Sequence, residues 1–172
     1  MGEVISHEPT MIVDFWKGSR IVCVTLHGAK APSDAEWNSF LEGMRRIGKK
    51  AGNDFARLCC LVLTDGGGPN AKQRAALAAI LNGQSSRVAV VSGGGPLLRA
   101  MVTALSWFNP DTKMFAPDKA DAIREHLRVS RDDLEGIAVR AVALQAEFRR
   151  ARVVAAFAAA CGVVSAPQSE MP

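Results

Sequence analysis

The chain has few of the short signatures that mark enzymes and metalloproteins. Its four cysteines form no C-x-x-C and stand at no Cys/His spacing suited to zinc. Cys59 and Cys60 are neighbours in the apolar run 58–63, where adjacent side chains point to opposite faces of a strand. They and Cys23 read as small buried hydrophobes in a reducing compartment. The histidines His7, His27 and His126 are isolated from one another. Ser92 lies in "VVSGGGP", which is not the G-x-S-x-G nucleophile elbow. No catalytic residue, metal or cofactor is therefore assigned, and the chain is not expected to be an enzyme. Basic residues come as scattered pairs (Arg45-Arg46, Lys49-Lys50, Arg149-Arg150) under a net charge of only +4. A nucleic-acid footprint needs a concentrated patch, so no nucleic acid is expected. The start, "MGEVISHEPT", lacks a signal-peptide layout. The run "VVAAFAAACGVV" is shorter than the roughly 20 residues a membrane span requires. These absences point to a cytoplasmic protein with no transmembrane segment, leaving open weak contact with a membrane surface.

What is present suits a folded globular domain: 172 residues, 48% hydrophobic and 22% charged. Apolar residues 11–16 and 21–26, joined by "KGSR", predict a hairpin. Ser33 and Glu36 fit a capping box, and Trp37, Phe40, Leu41, Met44 and Ile47 recur at helical spacing. A strand over 58–64 is followed by a helix over 72–81, then a strand over 87–92 and a helix over 97–108. A short strand over 113–116 and a helix over 118–127 complete the order β-β-α-β-α-β-α-β-α. Alternation of this kind implies an α/β fold, with a single small, mostly parallel sheet and packed helices.

From Ser130 the spacing predicts one long C-terminal helix, with Asp132 and Asp133 in its first turn. Leu134, Ile137, Ala141, Leu144, Phe148, Ala151, Ala155 and Ala158 follow the 3,4 alternation of a coiled coil. The apolar end must be buried against the chain's own domain, another chain or a membrane surface. The expected division is a domain over 1–129, a helical extension over 130–164 and a disordered tail over 165–172.

Two glycine loops, "DGGGPNAKQR" (65–74) and "SGGGPLLR" (92–99), each stand between a strand and a helix. Against the Walker pattern, Ala71 replaces the second glycine, Gln73 replaces the magnesium-binding hydroxyl, and Pro69 removes an N–H from the phosphate nest. The dinucleotide fingerprint is incomplete at both loops. Glycines for a sharp reversal and prolines at helix starts make structural turns. The same position, at the carboxyl ends of parallel strands, is where ligands bind in such sheets. Asp65, Gly66, Gly67, Gly68, Asn70 and Arg74 in the first loop, with Gly93, Gly94, Gly95 and Arg99 in the second, are thus candidates for holding a partner or an anion. Asp65 has a second reading as a cap. Trp107 and Phe108 read as core or interface anchors.

"CLVLTDGGGPNAKQRAAL", "VAVVSGGGPLLRAMVTALSWF" and "TKMFAPDKADAIREHL" together resemble the SpoIIAA-like branch of STAS domains (STAS/SEC14-like). The positions carrying the resemblance are Asp65, Arg74, Val88 to Val91, Arg99, Phe115, Ala122 and Leu127, within residues 10–128. It implies a non-enzymatic regulatory role through protein contacts in a bacterial cell. In the wider group a serine in the loop after this strand is phosphorylated. Here that loop has no hydroxyl, so such a switch has no acceptor there. The expected function is a regulatory or scaffolding module, self-associating through the long helix. The alternative is binding of a small anionic ligand (nucleotide, phosphate metabolite or lipid head group) at the two GGGP loops.

Overall fold

The computed structural model describes residues 2–7, 10–95, 99–100, 102–103, 106–107, 109–147 and 152–163, with the backbone alone for 2–7, 146–147 and 152. Six strands form one sheet in sequence order: β1 (Gly2–His7), β2 (Met11–Lys17), β3 (Ile21–His27), β4 (Leu58–Thr64), β5 (Arg87–Val91) and β6 (Thr112–Phe115). β1, β2 and β3 pair antiparallel, and β3 to β6 pair parallel. The helices are α1 (Asp34–Lys50), α2 (Ala71–Leu81), α3 (Ala120–Leu127), α4 (Arg131–Glu147) and α5 (Arg152–Ala160). The α/β class and the mostly parallel sheet agree with the sequence. Of the helix expected over 97–108, residues 99, 100, 102, 103 and 106 are helical, and its other residues except Trp107 lie outside those described.

The two-residue period of the strands divides the core. Val22, Val24 and Leu26 face one side with Cys59, Leu61, Leu63, Ala89 and Val91, under α3, α4 and α5. Met11, Val13, Phe15 and Cys23 face the other side, under α1 and the end of α2. Cys59 and Cys60 fall on opposite faces, as neighbours on a strand must. Helix α1 forms where expected. Ser33 Oγ accepts the Glu36 N–H at 3.2 Å and Glu36 Oε2 accepts the Ser33 N–H at 2.6 Å. Its stripe of Trp37, Phe40, Leu41, Met44 and Ile47 is buried, each side chain contributing about 1.5–3 kcal/mol of apolar burial.

Two elements differ from expectation. Strand β1 precedes the anticipated hairpin, pairing with β2 from Gly2↔Trp16 to His7↔Ile12 through an irregularity between Val4 and Ser6. The long C-terminal helix is, among the described residues, two helices. Cys161 and Gly162, beyond the end of α5, border the same cleft as Arg131, Leu134 and Glu135 at the start of α4. The two helices therefore run back along each other. Leu134, Ile137, Ala141 and Leu144 are buried here, together with Val154, Phe157 and Ala158, in the same cluster as the sheet. The repeat that suggested another chain is covered by this chain's own sheet and α5. Ala155 is exposed, Phe148 and Ala151 lie outside the described residues, and so do residues 164–172.

Helix α4 is fixed along its N-terminal half. Asp133 accepts the Trp16 indole N–H at 2.8 Å, the Ser19 N–H at 2.9 Å, the Ser130 hydroxyl at 2.9 Å and the Ser19 hydroxyl. Gly136 has no Cβ because the Trp16 ring occupies that space. One turn further on, Arg140 Nε meets the fully buried Asp14 Oδ2 at 3.3 Å.

Candidate functional site

The first glycine loop follows β4 and spends its own donors. Thr64 Oγ1 accepts the Gly66 N–H at 3.0 Å and donates to the Gly67 carbonyl at 2.7 Å. The Gly67 N–H donates to the Gly28 carbonyl at 2.9 Å, and a Cβ on Gly67 would strike the carbonyls of Gly28 and Lys30. Helix α2 opens on a second capping box. Asn70 Oδ1 accepts the Gln73 N–H and Gln73 Oε1 accepts the Asn70 N–H, both at 3.0 Å. The N–H groups of Gly66, Gly67, Asn70 and Gln73 are thus engaged within the loop and the cap. Asp65 turns to the opposite face of the sheet, where its Oδ1 accepts the Val153 N–H at the start of α5 at 3.0 Å. Its capping role is thus seen, at a helix far away in sequence.

The second loop is more open. Gly93, Gly94 and Gly95 have free space where a Cβ would stand, and Gly94 and Gly95 hold φ of 91° and 146°. Buried Ser92 accepts the Gly94 N–H at 3.4 Å. Arg99 is exposed, with its N–H on the Gly95 carbonyl at 3.1 Å. Pro96 lies outside the described residues.

Between α1, α2 and the β3–β5 face lies a cavity of about 110 Å³. Sheet residues Cys23, Thr25, His27, Cys60, Val62 and Thr64 line it, with Trp37, Phe40 and Met44 of α1 and Arg74, Leu77 and Leu81 of α2. Gly67, Gly68 and Pro69 close the end nearest His27, whose register partner is Thr64. The first glycine loop therefore serves as a cavity wall, and Arg74 is brought to the same chamber. Arg74 Nη1 donates to the Pro69 carbonyl at 2.9 Å, while its buried Nε has no partner among the described residues. Arg99 is not among the lining residues described.

His27 is 3% exposed and its Nδ1 has no hydrogen-bond partner among the described residues. Burial lowers its pKa to about 4, against a smaller opposing pull from Glu36, so the ring is neutral at pH 7. The Glu36 carboxylate is already engaged by the Thr10 N–H at 2.8 Å, the Thr10 hydroxyl at 2.9 Å and Ser33. Burial would raise its pKa, but these hydrogen bonds outweigh that and hold it below the usual range. At the other end, Cys23 and Cys60 are register partners on β3 and β4. The hydrogen bond with Cys23, reinforced by burial, pushes the Cys60 thiol well above its usual range, leaving no thiolate nucleophile.

Sequence reading singled out Arg74 and the loop glycines but passed over His27. The available signal was the period of two on β3, which puts Cys23, Thr25 and His27 on one face of a strand otherwise filled with Val, Ile and Leu. No family model, no curated protein and no solved structure matches this chain. Among the described residues no helix is long and apolar enough to cross a membrane, and no group of three or more His, Cys, Asp or Glu is placed to hold a metal.

Proposed function

We propose that the chain is a non-enzymatic regulatory module that responds to a small ligand held behind the β3–β5 face. The observation that carries this reading is the cavity of about 110 Å³ itself, lined mainly by apolar side chains with His27 at one end. An unfilled apolar space forfeits the contacts that a bound apolar body would restore. Gly67, Gly68 and Pro69 with part of α2 form one wall of the cavity, so occupancy would be felt at a surface open to a partner protein. Four unpaired cysteines suit a cytoplasmic setting. A partner-binding role is favoured separately by Trp107, which is 80% exposed.

The test is thermal unfolding with small apolar and amphipathic molecules. A ligand at about 100 times its Kd adds roughly 2.7 kcal/mol, a rise in Tm of about 5–10 °C for a chain of this size. Ala78→Leu, which fills the cavity from α2, removes that rise. Shifts equal in wild type and Ala78→Leu would place binding elsewhere and defeat the reading.

A further inference from the structure

Cys23 and Cys60 stand opposite each other on β3 and β4 and line the same cavity. Both are free thiols, and the hydrogen bond between them brings the two sulfurs into contact. Cys59 and Cys161 lie on the other face of the sheet.

Spacing decides what can join the pair. Register partners on neighbouring strands are about 4.8 Å apart, with their Cβ atoms on one face. A disulfide needs its Cβ atoms about 3.8 Å apart, so the sheet would have to yield. Two metal–sulfur bonds of about 2.3 Å, the length a thiolate makes to zinc, span about 4.6 Å. That gap the pair reaches by side-chain rotation alone.

The wall then selects the metal. No carboxylate stands among the described lining residues, so a hard cation finds no anionic oxygen. Among the described residues no third His, Cys, Asp or Glu is placed with the pair, which leaves zinc short of its four ligands. Thiolates select soft ions such as Cu(I), which two of them in line can satisfy, and Met44 adds a thioether to the same wall. Arg74 is the one charged side chain among the described lining residues, and it offsets the net negative charge of a two-thiolate Cu(I) unit.

We propose that Cys23 and Cys60 form a two-coordinate site for Cu(I), separate from any organic ligand of the cavity. On binding, each S–H gives its proton to solvent and each sulfur forms one S–Cu bond, with no change of oxidation state. About two protons are therefore released per Cu(I) bound.

The test sets the full chain, reduced and kept free of oxygen, against bathocuproine disulfonate, a chromogenic Cu(I) chelator. One Cu(I) per chain should be held, with no change in oligomeric state. Cys23→Ala and Cys60→Ala should each weaken it roughly a hundredfold or more, while Cys161→Ala leaves it within about twofold. Thermal unfolding without metal shows which variants fold; if Cys23→Ala does not, Cys60→Ala, at the half-buried position, decides alone. Failure of the wild type to hold Cu(I), its retention by Cys60→Ala, or a copper-bridged pair of chains overturns the assignment. So does Zn(II) held as tightly as Cu(I), since that needs ligands the pair does not supply.

Discussion

Asp65 Oδ1 accepts the backbone N–H of Val153 at 3.0 Å, joining the first glycine loop to the start of α5 across 88 positions of sequence. The first N–H groups of a helix have no partner within it, and a carboxylate beside them also meets the positive end of the helix dipole. Asp65→Ala should cost about 1–2 kcal/mol in urea unfolding. Asp65→Asn, which keeps an acceptor of the same shape, should cost less than half as much.

The two glycine loops should respond differently to one methyl group. At Gly67 a Cβ meets the backbone carbonyls of Gly28 and Lys30, which have no side-chain freedom with which to yield. At Gly93 it meets open space. Gly67→Ala is expected to cost about 2 kcal/mol or more and Gly93→Ala to stay within about 0.5 kcal/mol. Chemical denaturation of the two variants beside wild type measures the contrast.

Asp133 provides an acid-side prediction. Burial alone would raise its pKa, but hydrogen bonds from Ser19, Trp16 and Ser130 bring it from 3.8 to about 2. A carboxyl depressed in the folded state contributes stability that is present above the unfolded value and lost as pH falls through the folded one. About 1–2 kcal/mol should therefore disappear between pH 4 and pH 2. Asp133→Asn should be less stable at pH 7 and show a flatter profile in that window.

His27 acts at higher pH. Its folded pKa of about 4 lies below the ordinary 6.5, so the unfolded chain takes up the proton first. Stability is complete above pH 6.5 and declines toward pH 4, by up to about 3 kcal/mol. Urea midpoints of wild type and His27→Gln, taken between pH 7.5 and 4.5, should converge as the pH falls. The two groups thus divide the acid limb into separate windows.

The elements that sequence reading placed well are those whose signals are local. Ser33 and Glu36 announced α1, and the nearly continuous apolar run before Asp65 announced a strand covered on at least one side by helices. Helix α2 was placed from its helix formers over 72–81, and Pro69, expected in its first turn, precedes the cap formed by Asn70 and Gln73. The C-terminal segment was harder, because a 3,4 repeat records that a helix face is covered without recording by what. Leu134, Ile137, Ala141 and Leu144 look the same whether the cover is another chain or, as here, α5 and the sheet. The cavity was not legible either. His27 is distant in sequence from Arg74, and only the β3–β4 register and the fold of the loop over 65–70 bring them to one chamber. The resemblance drawn from the glycine-loop motifs had no bearing on that juxtaposition.

The closing of the far sheet face by α4 and α5 has a consequence for the order in which the protein is made. All six strands, and both helices of the opposite face, are encoded before residue 116. The side chains that cover Val22, Leu61 and Val91 come afterwards, and Phe157, among the largest of them, lies on α5. A nascent chain thus carries its sheet with one apolar face bare until α4 and α5 are released. Contacts as distant as Trp16 with Asp133 cannot form before then. Such a chain is expected to depend on whatever shields apolar surface during synthesis, and to fold cooperatively only once α5 has been made.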